Sequence, residues 1–392
     1  MTTPESSPHI SFPKKNRIAL FTGGGTAPGL NAVLHGASQE IHRGGGEAVG
    51  VLDGWAGMLE RKRLIDLRSL TTAELHALLQ RGGSVLGNSR TKIDLQKHPE
   101  QGEQLARTAG AYALDGAIAI GGDDTLGQAA EINERRIIST DDFFNGVPKT
   151  IDNDLMGTER TFGFETAVHQ AMQQLVHLHA DAETQRRVAA IEIMGRDAGW
   201  ITLHAGYVGG ADITLIREFP IAEATLMQRI REIYESRRQE TGGGYVMIAI
   251  AEGYEGAEDA ALKDSFGHAK KGGSAKILLK KVKEQTGYDT MEQVAGYDVR
   301  SRPPLSQDAI FAAELGATAG HLAVHGTYGR MITLQHGRIT HVPLSEAKSG
   351  RMVGIEHYDP EIMRKRDLPP AIAAELLQAR AEAEQILGQE SS

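Results

Sequence analysis

An apolar run, Ala117, Ile118, Ala119 and Ile120, breaks at once into Gly121, Gly122, Asp123 and Asp124. A short apolar run bounded by turn formers predicts a buried strand. Two glycines at its carboxyl end let the backbone turn tightly and bring amides close to a ligand. About one strand–helix–strand repeat later stand Pro148, Lys149, Thr150, Ile151, Asp152, Asn153 and Asp154. Gly-Gly-Asp-Asp alone reads more readily as a surface turn. The second cluster shifts the balance, because Asp123, Asp124, Asp152, Asp154 and one lysine then gather at strand ends, where open α/β sheets bind ligands. Carboxylates that repel one another at such a place imply a cation between them, most simply Mg2+.

The length, 392 residues, exceeds one ordinary core and predicts two α/β domains, which 40% apolar residues suffice to fold. A net charge of −9 with no basic tract argues against a nucleic-acid surface. The absence of cysteine excludes disulfides, thiol catalysis and zinc–thiolate sites. The polar start has no apolar signal core, and no run approaches the roughly 20 apolar residues that span a bilayer. The expectation is a cytoplasmic protein with no membrane association, led by a disordered segment over residues 1–15.

Ile18 to Phe21 predicts another buried strand, followed by the glycine loop Gly23, Gly24, Gly25 and by Pro28, near which a helix should start. A glycine loop running into a helix N-terminus suits a phosphate, through free amides and the helix dipole. It is neither the dinucleotide fingerprint nor a P-loop, since Pro28 stands where a third glycine would and no Gly-Lys-Ser/Thr occurs. Further strands are expected at 49–52, 188–193, 213–216 and 246–251. Helices are expected near 71–80 and at 165–180, 222–236 and 274–283. Arg90 follows a second glycine-rich loop, and Glu252 ends the strand at 246–251. Regular alternation of strand and helix predicts a parallel-sheet α/β architecture.

Taken together, these motifs resemble the phosphofructokinase family. They are Gly-Gly-x-x-x-Pro-Gly-x-Asn from Gly23 to Asn31, Leu-Gly-x-x-Arg ending at Arg90, and Gly-Gly-Asp ending at Asp123. Thr-Ile-Asp-Asn-Asp from Thr150, Met-Gly-Arg at Met194, Gly195 and Arg196, and the strand-end Glu252 complete the set. All occur in family order, from about Ile18 to about Arg330.

The resemblance implies two Rossmann-like parallel-sheet domains with the active site in the cleft between them. Residues 16–160 plus about 300–350 would bind the phosphoryl donor and Mg2+, 161–299 would bind the sugar phosphate, and 351–392 would form a helical C-terminal extension. By the same resemblance, Gly25 and Arg90 contact the donor, Asp123 holds the metal, and Asp152 is the base for the sugar 1-hydroxyl with Thr150 beside it. Met194, Gly195, Arg196, Glu252, Tyr297 and Arg300 grip the sugar phosphate. Arg187 reaches a neighbouring subunit's site, which implies a homo-oligomer.

The choice of donor turns on Asp124 and Lys149, where ATP-using members similar to the bacterial enzymes carry glycine. A carboxylate at Asp124 fills and negatively charges the space an α-phosphate would need. Lys149 is expected to supply a mobile cation for the short pyrophosphate. The pair resembles the pyrophosphate-dependent branch, with Arg196 also stabilising charge during transfer to fructose 6-phosphate. Three rivals remain: an ATP-dependent enzyme, a relative acting on another sugar phosphate, and a catalytically silent sensor. Three departures from the family pattern bear on them. Tyr297 replaces a usual histidine, Met291 a cross-subunit arginine, and His35 and Gln39 two arginines of the bacterial effector pocket.

Overall fold

The computed structural model describes residues 16–60, 64–67, 70–89, 91–195, 197–254, 259–263, 269–270 and 272–354. The expected leader, and the expected extension beyond Gly354, lie outside them. In chain order the strands are β1 (Arg17–Thr22), β2 (Glu47–Val51), β3 (Leu64–Asp66), β4 (Gly116–Gly121), β5 (Phe144–Pro148), β6 (Val188–Ile193) and β7 (Ile213–Leu215). Then come β8 (Val246–Ala251), β9 (Asp259–Lys263), β10 (Ala269–Lys270), β11 (Thr290–Val294), β12 (Arg330–Gln335) and β13 (Arg338–Pro343). The fold is mixed α/β. No helix among the described residues is long and apolar enough to cross a membrane.

The chain divides into two compact units. The first holds the residues up to Lys149, together with Gly157–Glu159 and Ala309–Lys348; the second holds Thr150–Met156, Arg160–Asp308 and the residues from Ser349. The division falls after Lys149 and not near residue 160, because Thr150–Met156 is tied to the residues after Arg160. Thr161 Oγ1 donates to the Thr150 carbonyl at 2.8 Å, and Asn153 Oδ1 accepts the Thr161 N–H at 3.0 Å.

In the first unit the strands run in the order β13-β12-β5-β4-β1-β2-β3. The pairs from β2 through β1, β4 and β5 to β12 are parallel, while β3 and β13 pair antiparallel at the two edges. β4 is buried along its whole length and β1 from Ile18 onward, which explains their unbroken apolar runs. Phe21, Trp55 and Phe144 form the aromatic centre of one core, with ring centroids 4.7 to 6.2 Å apart. The first helix, Leu30–Arg43, begins two residues beyond the expected Pro28, after Gly29 at φ 103°. It packs tightly on the helix Ser306–Val324: a Cβ on Gly36 would strike the Ala313 carbonyl, and one on Gly316 the Val33 carbonyl.

The second unit has a parallel sheet in the order β11-β6-β8-β7, with β9 and β10 as a separate antiparallel pair. β6 and β8 are fully buried and match their predicted bounds. The helix Phe164–Gln185 starts against Asp308, which is 1% exposed. The Asp308 carboxylate accepts the N–H groups of Gly163 and Thr166 at 3.0 and 2.7 Å and the Thr166 hydroxyl at 2.6 Å. Removing this acceptor leaves buried donors unpaired, so Asp308→Ala should lower stability by roughly 1–3 kcal/mol in denaturant unfolding. Burial pushes the Asp308 pKa up, against the lowering effect of these hydrogen bonds. A raised folded pKa favours folding most below the unfolded value. The difference between the two proteins should therefore shrink as pH rises through the folded pKa.

Candidate active site

Three loops at the carboxyl ends of β1, β4 and β5 are stitched together in the first unit. The Gly23 N–H donates to Ile120 at 2.9 Å, Gly24 to Ser89 at 3.0 Å, and Lys149 to Gly121 at 2.8 Å, each at a backbone carbonyl. Asn31, fully buried, joins the glycine loop's helix to the second glycine-rich loop: its amide donates to the Arg81 carbonyl at 3.0 Å and its Oδ1 accepts the Val85 N–H at 2.8 Å. Gly25, Asp123, Asp124 and Lys149 are thereby brought to one end of one sheet. Arg90 lies outside the described residues.

Asp123 and Asp124 are the first two residues of the helix Asp123–Glu134, where the helix dipole tolerates their charge. Asp124 lies 3.0 Å from the ammonium of Lys92 in an exposed pair, a contact that sequence reasoning missed. Lys149 corrects the expectation of a mobile cation. It is 5% exposed, and its Nζ donates to the Gly25 carbonyl at 2.8 Å, 3.2 Å from where a Cβ on Gly24 would stand. Its backbone tether to β4 and its burial hold the ammonium over the glycine loop.

No group of three or more His, Asp or Glu side chains is gathered for a metal among the described residues. Mg2+ keeps several waters and binds through one or two carboxylates plus substrate phosphates. Asp123, opening its helix directly after the glycine turn, fits such a ligand.

The second unit carries the other predicted residues. Thr150 Oγ1 accepts the Asp152 N–H at 3.1 Å, closing a turn that presents the partly buried Asp152. Asn153, 4% exposed, stands at φ 54°, in the left-handed region. At the ends of β6 and β8, the Gly195 N–H reaches Glu252 Oε1 at 3.3 Å and Arg300 Nε reaches Met194 Sδ at 3.2 Å. Tyr297, 73% exposed, accepts the Arg300 N–H at its carbonyl at 3.0 Å. Met194, Gly195, Glu252 and Arg300 are therefore assembled. Arg196 lies outside the described residues. Arg187 immediately precedes β6, at the opposite end of that strand, roughly 20 Å from Met194 at about 3.3 Å per residue. Met291 pairs beside it with Ala189.

Gly195 has a positional reason. Its φ is 151°, and a Cβ there would stand 2.6 Å from the Ala198 carbonyl. Gly195→Ala should displace the loop; on the expectation from the family resemblance that this loop grips the sugar phosphate, KM for it should rise about tenfold or more, since even small misplacement is costly. Steady-state kinetics beside a thermal melt checks this, and an unchanged KM would contradict it. Glu192, also missed, is 5% exposed and accepts the N–H groups of Gly273 at 2.9 Å and Ala275 at 3.1 Å, anchoring the helix Ser274–Thr286. Its signal was present: a carboxylate in the otherwise apolar strand β6 needs partners.

The Phosphofructokinase family profile matches residues 17–323. The chain belongs to the phosphofructokinase family. With it comes the family's activity, that of a transferase and kinase of glycolysis. A pyrophosphate–fructose 6-phosphate 1-phosphotransferase from Amycolatopsis methanolica is 37% identical over 84% of this chain and 94% of its own length. An ATP-dependent 6-phosphofructokinase from Chloroflexus aggregans is 36% identical over 85% and 91%. The crystal structure of a pyrophosphate-dependent phosphofructokinase from Marinobacter aquaeolei shares the fold, with a TM-score of 0.73 at 22% identity over 87% of this chain and 86% of that one. Relatives named for either donor are thus about equally similar.

Proposed function

We propose that this phosphofructokinase transfers a phosphoryl group from pyrophosphate to the 1-hydroxyl of fructose 6-phosphate, giving fructose 1,6-bisphosphate and orthophosphate. The observation that carries the donor is Asp124 in the first turn of the helix after Gly121 and Gly122, together with Lys149, whose ammonium sits on the Gly25 carbonyl; the lysine alone would not decide it. A cation fixed there favours a short, highly charged donor over one with a bulky nucleoside beyond its phosphates. The Asp124 carboxylate adds bulk and negative charge where an α-phosphate would need room.

Transfer of this kind needs an in-line oxygen, neutralised charge and a base, with little covalent help from protein. Asp152 takes the proton of the 1-hydroxyl as that oxygen attacks the terminal phosphorus, and the bond to the bridging oxygen breaks. Asp123 would hold Mg2+, which when bound offsets the negative charge of the phosphates. Lys149, with Arg90 and Arg196, stabilises charge that develops on the transferred group. Gly25 contacts the donor. Thr150, Met194, Gly195, Glu252, Tyr297 and Arg300 hold the sugar phosphate. Arg187, at the far end of β6 from Met194, serves a neighbouring copy in a homo-oligomer.

A pyrophosphate enzyme should also run backwards with orthophosphate alone. Supplied with fructose 1,6-bisphosphate, Mg2+ and orthophosphate, it should release fructose 6-phosphate and pyrophosphate without any nucleotide. Turnover that requires ADP would oppose the reading.

A further inference from the structure

Past the first unit's last strand, the chain returns to the loop carrying Asp152, beyond residues 17–323 that the family profile matches. Within the second unit, Leu155 and Ser349 form an antiparallel bridge, and the Asp154 carbonyl accepts the N–H groups of Gly350 and Arg351 at 3.0 and 2.9 Å. The Arg351 guanidinium donates to the Asn153 carbonyl at 3.4 Å and lies over the Trp200 ring, 4.9 Å from its centroid. Trp200 is 3% exposed, and its indole N–H donates to the Arg351 carbonyl at 3.0 Å. Two residues on, the Val353 N–H reaches Glu218 Oε1 at 3.2 Å, and the same oxygen accepts the Gly199 N–H at 2.8 Å.

These contacts converge on a left-handed turn. Asn153, next to Asp152, holds φ 54°, a conformation uncommon outside glycine that asparagine adopts more readily than most residues, so neighbouring contacts help decide whether the turn keeps it. Thr161 restrains its side chain from one direction. The strap at 349–353 takes the carbonyls of Asn153 and Asp154 from another. Without the strap, the turn can relax toward ordinary dihedrals and carry the Asp152 carboxylate with it.

We propose that Arg351 and Trp200 are positioning residues that set the angle of Asp152, so that the returning segment at 349–353 governs the rate of phosphoryl transfer. The proposal rests on the reading of Asp152 as the base. Displacing a base without removing it lowers kcat more than it weakens binding.

The test measures kcat, KM for fructose 6-phosphate and thermal midpoint, with whichever of pyrophosphate or ATP supports turnover. Arg351→Met keeps the stem over Trp200 but removes the donor to Asn153. Trp200→Phe keeps an aromatic ring but removes the donor to the Arg351 carbonyl. Each should lower kcat about tenfold with a smaller change in KM, and Arg351→Lys should recover part of the loss. In an Asp152→Asn background, Arg351→Met should have no further effect, because there is no base left to aim. Wild-type kcat in both single variants, or an equal loss with and without Asp152, would overturn the proposal while leaving the base in place. Near-wild-type activity of Asp152→Asn would overturn the base and this proposal together.

Discussion

Asp152→Asn should lower kcat by about 10²–10⁴-fold, the usual cost of removing a general base. Asparagine keeps the shape of the side chain but cannot accept the hydroxyl proton. The turn itself survives the change, because Thr150 Oγ1 holds the backbone N–H of residue 152 and Thr161 holds its neighbours. Fructose 6-phosphate should therefore still bind, with a Kd near that of the wild type by calorimetry. A variant that keeps near-wild-type kcat would show that the base lies elsewhere.

The second large effect is a change of donor. Asp124→Gly should raise kcat/KM for ATP about tenfold or more, equivalent to ~1.4 kcal/mol of discrimination. Two terms could be at work, bulk and charge. The ammonium of Lys92 at 3.0 Å offsets the Asp124 charge in an exposed pair, so bulk should dominate. Asp124→Asn, which drops the charge but keeps the size, should accordingly gain little with ATP. Adding Lys149→Gly removes the ammonium now seated on the Gly25 carbonyl, and should extend the gain with ATP while pyrophosphate use falls. If Asp124 instead supports the metal, Asp124→Gly will weaken Mg2+ dependence and lower activity with both donors alike. A Mg2+ titration with each donor separates these outcomes.

Legibility in the sequence divides along physical lines. β1, β4, β6 and β8 are buried on both faces, so their apolar runs announced them within a residue or two. Among the edge strands, only the buried β7 announced itself. β11 and β13 are half-exposed and mix polar with apolar residues, and β3 is only three residues long. The antiparallel edges of the first sheet were missed with them. Site residues fixed by local backbone demands were legible as motifs, as with Gly195 at its positive φ and Asp123 at a glycine turn. Partnerships between distant segments were not. Nothing near Lys92 in the chain points to Asp124, and nothing near Arg351 points to Asn153. Lys149 meets the same limit: its type and position suggested a cation for the donor, but only the fold shows it seated on Gly25.

The most direct measurement compares donors in the unaltered protein. Initial rates are taken with saturating fructose 6-phosphate and Mg2+, varying pyrophosphate in one series and ATP in the other. Turnover is expected with pyrophosphate, and kcat/KM for ATP should be lower by about tenfold or more, the span that ~1.4 kcal/mol of discrimination confers. Comparable kcat/KM values for the two donors, or a preference for ATP, would contradict pyrophosphate as the donor.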